Sequence, residues 1–144
     1  MQDLPHRYRV QARGGSEGEV ELAAGGLPGL RTAAPAEFGG PGDRWSPETL
    51  LVGAVADCFV LTFRAVARAS KLAWSDLACD VEGVLEKDDG VTRFTKLRVR
   101  ATLRVPEGTD EGRARRALEK AERGCLVTNS LIADSELASD VEVG

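Results

Sequence analysis

The feature that most constrains the fold is a proline-free, largely apolar stretch that follows Ser46-Pro47-Glu48 and runs to about Ser70. Ser46 can accept hydrogen bonds from the free N–H groups of a first helical turn, and Pro47 suits the first helical position. The Glu48 carboxylate favours the positive end of a helix. The sequence therefore predicts a helix of about 24 residues, or about 36 Å at 1.5 Å per residue. Its first half is almost wholly apolar, so we expect burial on most sides.

The residues before this helix predict a small antiparallel sheet. Apolar and polar residues alternate along the candidate strands, and glycine-rich turns separate them. The candidate strands are residues 7–13, 19–22 and, as a short third strand, 30–32. A loop rich in glycine and proline, residues 38–45, then leads to the helix.

The residues after the helix predict a second group of strands and a second helix. Residues 79–86 and 94–105 are candidate strands joined by a turn at Asp88-Asp89-Gly90. Thr109 or Asp110 is expected to cap a second helix that runs through Arg123 and is stopped by Gly124, and a last strand covers about 136–143. Because this order shows no βαβ alternation, we predict a single α+β domain over residues 1–144.

Composition argues against several classes of function. The chain has 19 basic and 23 acidic residues, a net charge of −4, and its basic residues are dispersed, which argues against nucleic acid and anionic membranes as partners. The apolar run Leu50–Ala56 ends at Asp57 and is far shorter than the roughly 20 residues that cross a bilayer, so no membrane span is expected. The N-terminus lacks the order of a secretion signal, which favours a cytoplasmic protein with reduced thiols.

The cysteines point to redox or catalytic thiols. With three cysteines and one histidine, no pair has the spacing of zinc ligands, and His6 lies near the chain end, so no metal site is expected. An odd number of cysteines also argues against a framework of structural disulfides. Cys79 shares a strand face with Val81 and is expected in the core. Cys58 and Cys125 are the remaining candidates.

The spacing of Glu48 and Cys58 predicts a second copy of the chain. Ten residues of helix separate the two side chains by about 15 Å, so they cannot meet within one straight helix. They can meet if two copies of the helix pack antiparallel and cross near Gly53, where Gly53, Ala54 and Ala56 allow close approach. We therefore expect a homodimer with sites built from both chains.

Two segments carry a resemblance to a known family. Ser-Pro-Glu-Thr-Leu-Leu-Val-Gly-Ala-Val-Ala-Asp-Cys-Phe at 46–59, and Ala-Glu-Arg-Gly-Cys-Leu-Val-Thr-Asn-Ser-Leu at 121–131, resemble the OsmC/Ohr family. These are the osmotically inducible and organic hydroperoxide resistance proteins, and the order of elements also matches over nearly the whole chain. The resemblance implies an OsmC-like fold, an intertwined homodimer and a thiol-dependent peroxidase acting on organic hydroperoxides.

The resemblance also implies roles for single residues. Cys58 would be the peroxidatic thiolate that becomes a sulfenic acid, and Cys125 the resolving thiol that forms a disulfide with it. Glu48 would orient an arginine beside the thiolate. The family binds no metal or flavin, and an external dithiol reductant, a lipoyl-type or small thiol, would return the disulfide to two thiols.

The arginine departs from the family pattern. At the two positions where family members carry it, this chain has Ser16 and Glu37. Arg44, two residues before the helix cap, is the first substitute, and Arg31 and Arg13 are alternatives. The competing hypothesis is a non-catalytic OsmC-like protein that binds a small apolar ligand or senses oxidants through a reversible Cys58–Cys125 disulfide. A structural dimer with incidental thiols is a third.

Overall fold

The computed structural model of the protein describes residues 1–144, which form two compact units, residues 1–50 and 51–144. Helix α1, Pro47–Ser70, begins in the first unit and continues through the second. The N-terminus of α1 is capped by reciprocal hydrogen bonds between Ser46 and Thr49. The Thr49 N–H donates to Ser46 Oγ at 3.1 Å, and the Ser46 N–H donates to Thr49 Oγ1 at 2.8 Å. The predicted cap at Ser46 and the predicted helix length are both confirmed.

The first unit contains a three-stranded antiparallel sheet. Its strands are β1, Gln11–Arg13, β2, Val20–Ala23, and β3, Leu30–Thr32, in the spatial order β1-β2-β3. The prediction that the first strand begins at Arg7 is wrong. Continuing the β1–β2 register would pair residues 7–10 with 24–27, but this part of the chain turns, with Leu27 N–H bound to Ala24 O at 3.1 Å.

The second unit holds a larger sheet and two further helices. Strands β4, Asp76–Asp88, and β5, Val91–Val105, form a hairpin whose turn uses Asp89 and Gly90 at φ 50° and 80°. Helix α2, Glu111–Gly124, is capped by Asp110, which accepts from Gly112 N–H at 2.9 Å. The short helix α3, Leu126–Asn129, was not predicted, and strand β6, Asp134–Val143, completes the sheet.

One connection in this sheet differs from the prediction. The strand order is β4-β5-β6, and β6 pairs with β5 in parallel, from Lys96 opposite Asp134 to Val105 opposite Val143. Helices α2 and α3 therefore form a crossover, because two neighbouring strands in parallel need a long connection. The expectation of no βαβ unit is wrong for this pair, while the α+β class is confirmed.

The core of the second unit lies between its sheet and the helices α1 and α2. Helix α1 contributes Phe59, Phe63 and Ala67, one turn apart, and the buried face of β5 alternates as predicted. Phe63 contacts Trp74 edge to face, with ring centroids 5.2 Å apart. The other buried members are Leu72, Val99, Ala101, Leu103, Val105, Ala114, Ala117, Leu118 and Ala121. Cys79 packs against this core from β4.

Helix α1 is more apolar than its contacts within the chain require. An 18-residue window has a mean hydropathy of 1.9, yet only 22% of that window is buried. The expectation that its apolar run is too short to cross a bilayer is wrong on length and composition, because Asp57 does not end the apolar stretch. A core helix of a soluble protein has the same composition. Within this chain, α1 thus leaves a face exposed that carries Ala54, Leu61 and Ala65 together with the charged Asp57, Arg64 and Arg68.

Candidate active site

Two thiols that are 67 positions apart in the sequence lie together in the second unit. Cys58 is half-buried on α1, and Cys125 is only 1% exposed at the junction of α2 and α3. The two thiols lie close enough for each to shift the pKa of the other, and both are free thiols. Gly124, at the end of α2, faces Thr62 on α1, and a Cβ there would lie in ordinary van der Waals contact with Thr62 Cγ2, at 3.4 Å.

The surroundings of Cys58 favour its thiolate. Burial raises the pKa of Cys58, but hydrogen bonds from the Val127 N–H, the Cys125 thiol, the Thr62 hydroxyl and the Leu126 N–H outweigh it. The net pKa of Cys58 lies below its ordinary value of 9.0. The two N–H groups belong to the first turn of α3, where the helix itself offers them no acceptor. Cys58 is therefore the better nucleophile of the pair at neutral pH.

The surroundings of Cys125 favour its protonated thiol. Burial is the largest cause and raises the pKa of Cys125, and the neighbouring Cys58 raises it further. The Thr128 hydroxyl donates to Cys125 Sγ at 3.3 Å, and the Thr128 N–H acts in the same direction, but together they do not compensate for burial. The pair thus consists of one thiol poised to ionise and one poised to hold its proton.

Cys79 is the third thiol of the chain and belongs to the core. Burial, followed by the charges of Asp80 and Cys125, raises the pKa of Cys79 to about 11. At neutral pH it is an un-ionised thiol and a poor nucleophile.

Glu48 lies in the first turn of α1, within the first unit. It is half-buried, and its Oε1 atom is enclosed without a hydrogen-bond partner. It lines a largely apolar cavity of about 420 Å³ between the sheet of this unit and the start of α1, together with Val20, Leu22, Phe38 and Leu50. A buried carboxylate oxygen without a hydrogen-bond partner lowers the stability of the fold at this position.

The candidate arginines are engaged elsewhere or exposed. Arg44 Nε donates to Glu19 Oε1 at 3.0 Å, and Arg31 lies 3.6 Å from the other oxygen of the same carboxylate. Arg13 is exposed on β1 and has no ion pair within the chain. No arginine is among the groups that shift the pKa of Cys58.

The groups that act on Cys58 were not among the site residues predicted from the sequence. Thr62 is one helical turn after Cys58, and its Oγ1 lies 3.7 Å from Cys58 Sγ. A hydroxyl residue four positions after a helical cysteine is a visible signal for this contact. The N–H groups of Leu126 and Val127 leave no such signal, because any residue carries a backbone N–H. No group of three or more potential ligands is placed to hold a metal ion.

Comparison with known proteins assigns the family. The sequence model of the OsmC-like protein family matches residues 40–138, which is more than half of the chain and includes Glu48, Cys58 and Cys125. The chain belongs to the OsmC-like family. The OsmC-like fold expected from the two cysteine segments is thereby confirmed.

Relatives of the family resemble the chain over nearly its full length. The uncharacterized protein YmaD of Bacillus subtilis is 26% identical over 142 residues, covering 96% of this chain and 95% of YmaD. An organic hydroperoxide resistance protein OsmC from Legionella pneumophila is 26% identical with a TM-score of 0.76, covering 97% and 99% of the two chains. An OsmC-like protein of unknown function from Vibrio cholerae has a TM-score of 0.84 at 17% identity, covering 94% and 99%.

Proposed function

We propose that this OsmC-like protein is a thiol-dependent peroxidase that reduces organic hydroperoxides through Cys58 and Cys125. The observation that carries the proposal is the asymmetric thiol pair. A thiol with a lowered pKa lies beside a second thiol with a raised pKa. Such a pair supplies a nucleophile and a resolving group at one place.

The oxidative half of the reaction uses both thiols in turn. The Cys58 thiolate attacks one peroxide oxygen, an S–O bond forms, and the O–O bond breaks. The alkoxide that leaves takes a proton from the medium, and Cys58 becomes a sulfenic acid. Cys125 then loses its proton and attacks the Cys58 sulfur. The S–S bond forms and the sulfenic oxygen leaves as water.

The reductive half needs an external dithiol, of the lipoyl or small-thiol type. Its first thiolate attacks the Cys58–Cys125 disulfide, forming a mixed disulfide with one cysteine and releasing the other as a thiolate. Its second thiolate then attacks the reductant's own sulfur in the mixed disulfide, which closes the reductant's disulfide and releases the remaining cysteine. The dithiol becomes a disulfide, and Cys58 and Cys125 regain two electrons and two protons. This cycle requires no bound cofactor, and we place it in the cytoplasm, where thiols are kept reduced.

The family supports the class of substrate. The Legionella relative, named as an organic hydroperoxide resistance protein, shares its fold with this chain and is 26% identical to it. The cavity beside Glu48 is lined mainly by apolar side chains, and in a homodimer that brings Glu48 of one chain level with Cys58 of the other it would suit an organic rather than an inorganic peroxide.

We also propose that the protein acts as a homodimer. The exposed face of α1 includes Ala54, Leu61 and Ala65, and a second copy crossing near Gly53 would cover it. That arrangement would also bring Glu48 of one chain level with Cys58 of the other.

One observation favours a second candidate, a redox sensor that is oxidised once. None of Arg13, Arg31 or Arg44 shifts the pKa of Cys58, and two of them share Glu19. Without an arginine beside the thiolate, reaction of Cys58 with peroxide would be slow. The alternative function is therefore a sensor that forms the Cys58–Cys125 disulfide once.

The test is turnover. An alkyl hydroperoxide and hydrogen peroxide are each incubated with the protein and a dithiol, and peroxide loss is followed for wild type, Cys58→Ser and Cys125→Ser. We expect many equivalents of alkyl hydroperoxide to be consumed by wild type and none by Cys58→Ser. Cys125→Ser should be oxidised to a trapped sulfenic acid.

The matched control is Cys79→Ser, which removes the core thiol and should consume hydroperoxide as wild type does. Wild-type consumption no faster than that of Cys58→Ser would exclude the peroxidase. Consumption of one equivalent, with a Cys58–Cys125 disulfide as product, would indicate the sensor.

A further inference from the structure

We propose that Thr62 is the positioning residue that holds Cys58 in its reactive, ionised form, in the place that the family pattern gives to an arginine. This inference deepens the proposed function and takes its catalytic meaning from it. It rests on the geometry of α1 around Cys58 and on the contact of Thr62 with the end of α2.

The Thr62 hydroxyl is directed at the cysteine sulfur instead of the helix backbone. A hydroxyl inside a helix commonly donates to the carbonyl four residues earlier. Ser70 on the same helix does this, donating to Val66 O at 2.9 Å. Thr62 does not, and its one side-chain hydrogen bond joins Oγ1 to Cys58 Sγ at 3.7 Å. The hydroxyl is therefore available to donate a hydrogen bond to the Cys58 sulfur.

The orientation of Thr62 is set by its methyl group. Thr62 Cγ2 faces Gly124, where a Cβ would lie in contact at 3.4 Å, so the methyl is directed at the end of α2. A β-branched side chain has few rotamers in a helix. With the methyl against Gly124, the hydroxyl lies on the side of Cys58.

The hydrogen bond becomes directional when Cys58 ionises. In the thiol form either atom can donate. A thiolate can only accept, so the Thr62 hydroxyl must donate to it, and a donor to the charged form favours that form. The Leu126 and Val127 N–H groups and the Cys125 thiol act in the same direction. Together they provide donors without a guanidinium.

The experiment measures ionisation of Cys58 without any peroxide. The reduced, full-length protein is alkylated with iodoacetamide across a pH series, and modification of the Cys58 peptide is followed by mass spectrometry. We expect Thr62→Val, which keeps the shape and removes the hydroxyl, to move the midpoint of the rate profile to higher pH. At pH 7 its alkylation should slow about fivefold, the effect of losing one hydrogen bond of ordinary strength. Thr62→Ser, which keeps the hydroxyl, should keep the wild-type midpoint.

The control is Thr92→Val, which removes an exposed threonine of β5 that makes no side-chain hydrogen bond. Thermal melts check that each variant is folded. If Thr62→Val does not fold, Thr62→Ala, which also removes the hydroxyl, takes its place in the same experiment. An unchanged midpoint in the variants without the hydroxyl would overturn the inference. So would an equal shift in Thr62→Ser, since the cause would then be packing.

The outcomes for Thr62 and for the peroxidase are separable. A shifted midpoint in a protein that consumes no hydroperoxide would retain the role of Thr62 in ionising Cys58 and reject the peroxidase. Repeated hydroperoxide consumption by wild type, together with an unshifted midpoint in Thr62→Val, would support the peroxidase and reject the role of Thr62.

Discussion

The three cysteines of this chain differ in reactivity because of the atoms around each sulfur. Cys58 has hydrogen-bond donors on several sides, Cys125 is almost fully buried, and Cys79 is packed against the core beside Asp80. The residue type predicts only that one of them can be a nucleophile. The surroundings assign the nucleophile to Cys58 and the proton-holding partner to Cys125.

The raised pKa of Cys79 predicts a loss of stability at alkaline pH. The ordinary thiol pKa is 9.0, and the pKa of Cys79 in the folded chain is about 11. Between these two values the unfolded chain releases the thiol proton while the folded chain retains it, so the free energy of unfolding falls as pH rises. Below pH 9 Cys79 contributes no pH dependence.

Thermal melts of wild type and Cys79→Ala across pH 7 to pH 11 test this expectation. The melting temperature of wild type should fall more steeply above pH 9 than that of Cys79→Ala, which has no thiol to titrate at this position. Parallel curves would show that the thiol ionises in the folded protein as easily as in the unfolded chain.

Between elements, one glycine decides how closely the first half of α1 approaches the sheet. Gly83 is on β4, next to the irregularity in register between Val84 and Leu85. A Cβ at Gly83 would lie 2.7 Å from Val52 Cγ2 and 2.9 Å from Phe94 Cε1, closer than real contacts allow. Since Val52 and Cys58 share α1, the close packing at Gly83 helps to fix the helix that carries the thiol.

Gly83→Ala should therefore destabilise the protein by overpacking, by about 1–3 kcal/mol. Urea unfolding of the two proteins measures the difference. The matched control is Gly25→Ala, where a Cβ would meet no atom within 4 Å. Equal stability of Gly83→Ala and wild type would mean that α1 can move away from β4 without loss.

For the whole molecule, the apolar side chains on the exposed face of α1 predict a dimer. Leu61 lies on this face and is 51% exposed within one chain. Wild type should have about twice the chain mass of 15.4 kDa in solution, as measured by light scattering after size-exclusion chromatography. Leu61→Arg should shift the protein towards the monomer, because burying an unpaired charge in the interface is unfavourable.

The matched control is Val91→Arg, which places the same charge on a residue of the β4–β5 hairpin that is 59% exposed. This variant should have the same mass in solution as wild type, about that of two chains. A monomeric wild type, or a dimer that tolerates Leu61→Arg, would contradict the crossing of two α1 helices.

Local sequence patterns were sufficient for most elements and insufficient for their pairing. Helix α1 was predictable because Ser46 and Thr49 are neighbours in the sequence, and β5 because its alternation is local. The parallel pairing of β6 with β5 depends on contacts between distant residues. Strand β1 was overestimated because its length is limited by where β2 turns away.

The same distinction between local patterns and long-range contacts applies to the candidate site. By itself, the sequence determined the long apolar helix, the α+β class, the family segments and the residues Glu48, Cys58 and Cys125, because these follow from residue types and local spacing. The tertiary structure alone decided that Cys58 and Cys125 meet, that Thr62 and two N–H groups surround Cys58, and that Arg31 and Arg44 share Glu19. Reactivity of a thiol depends on which donors lie within a few ångströms of the sulfur, and residues distant in the chain supply most of them.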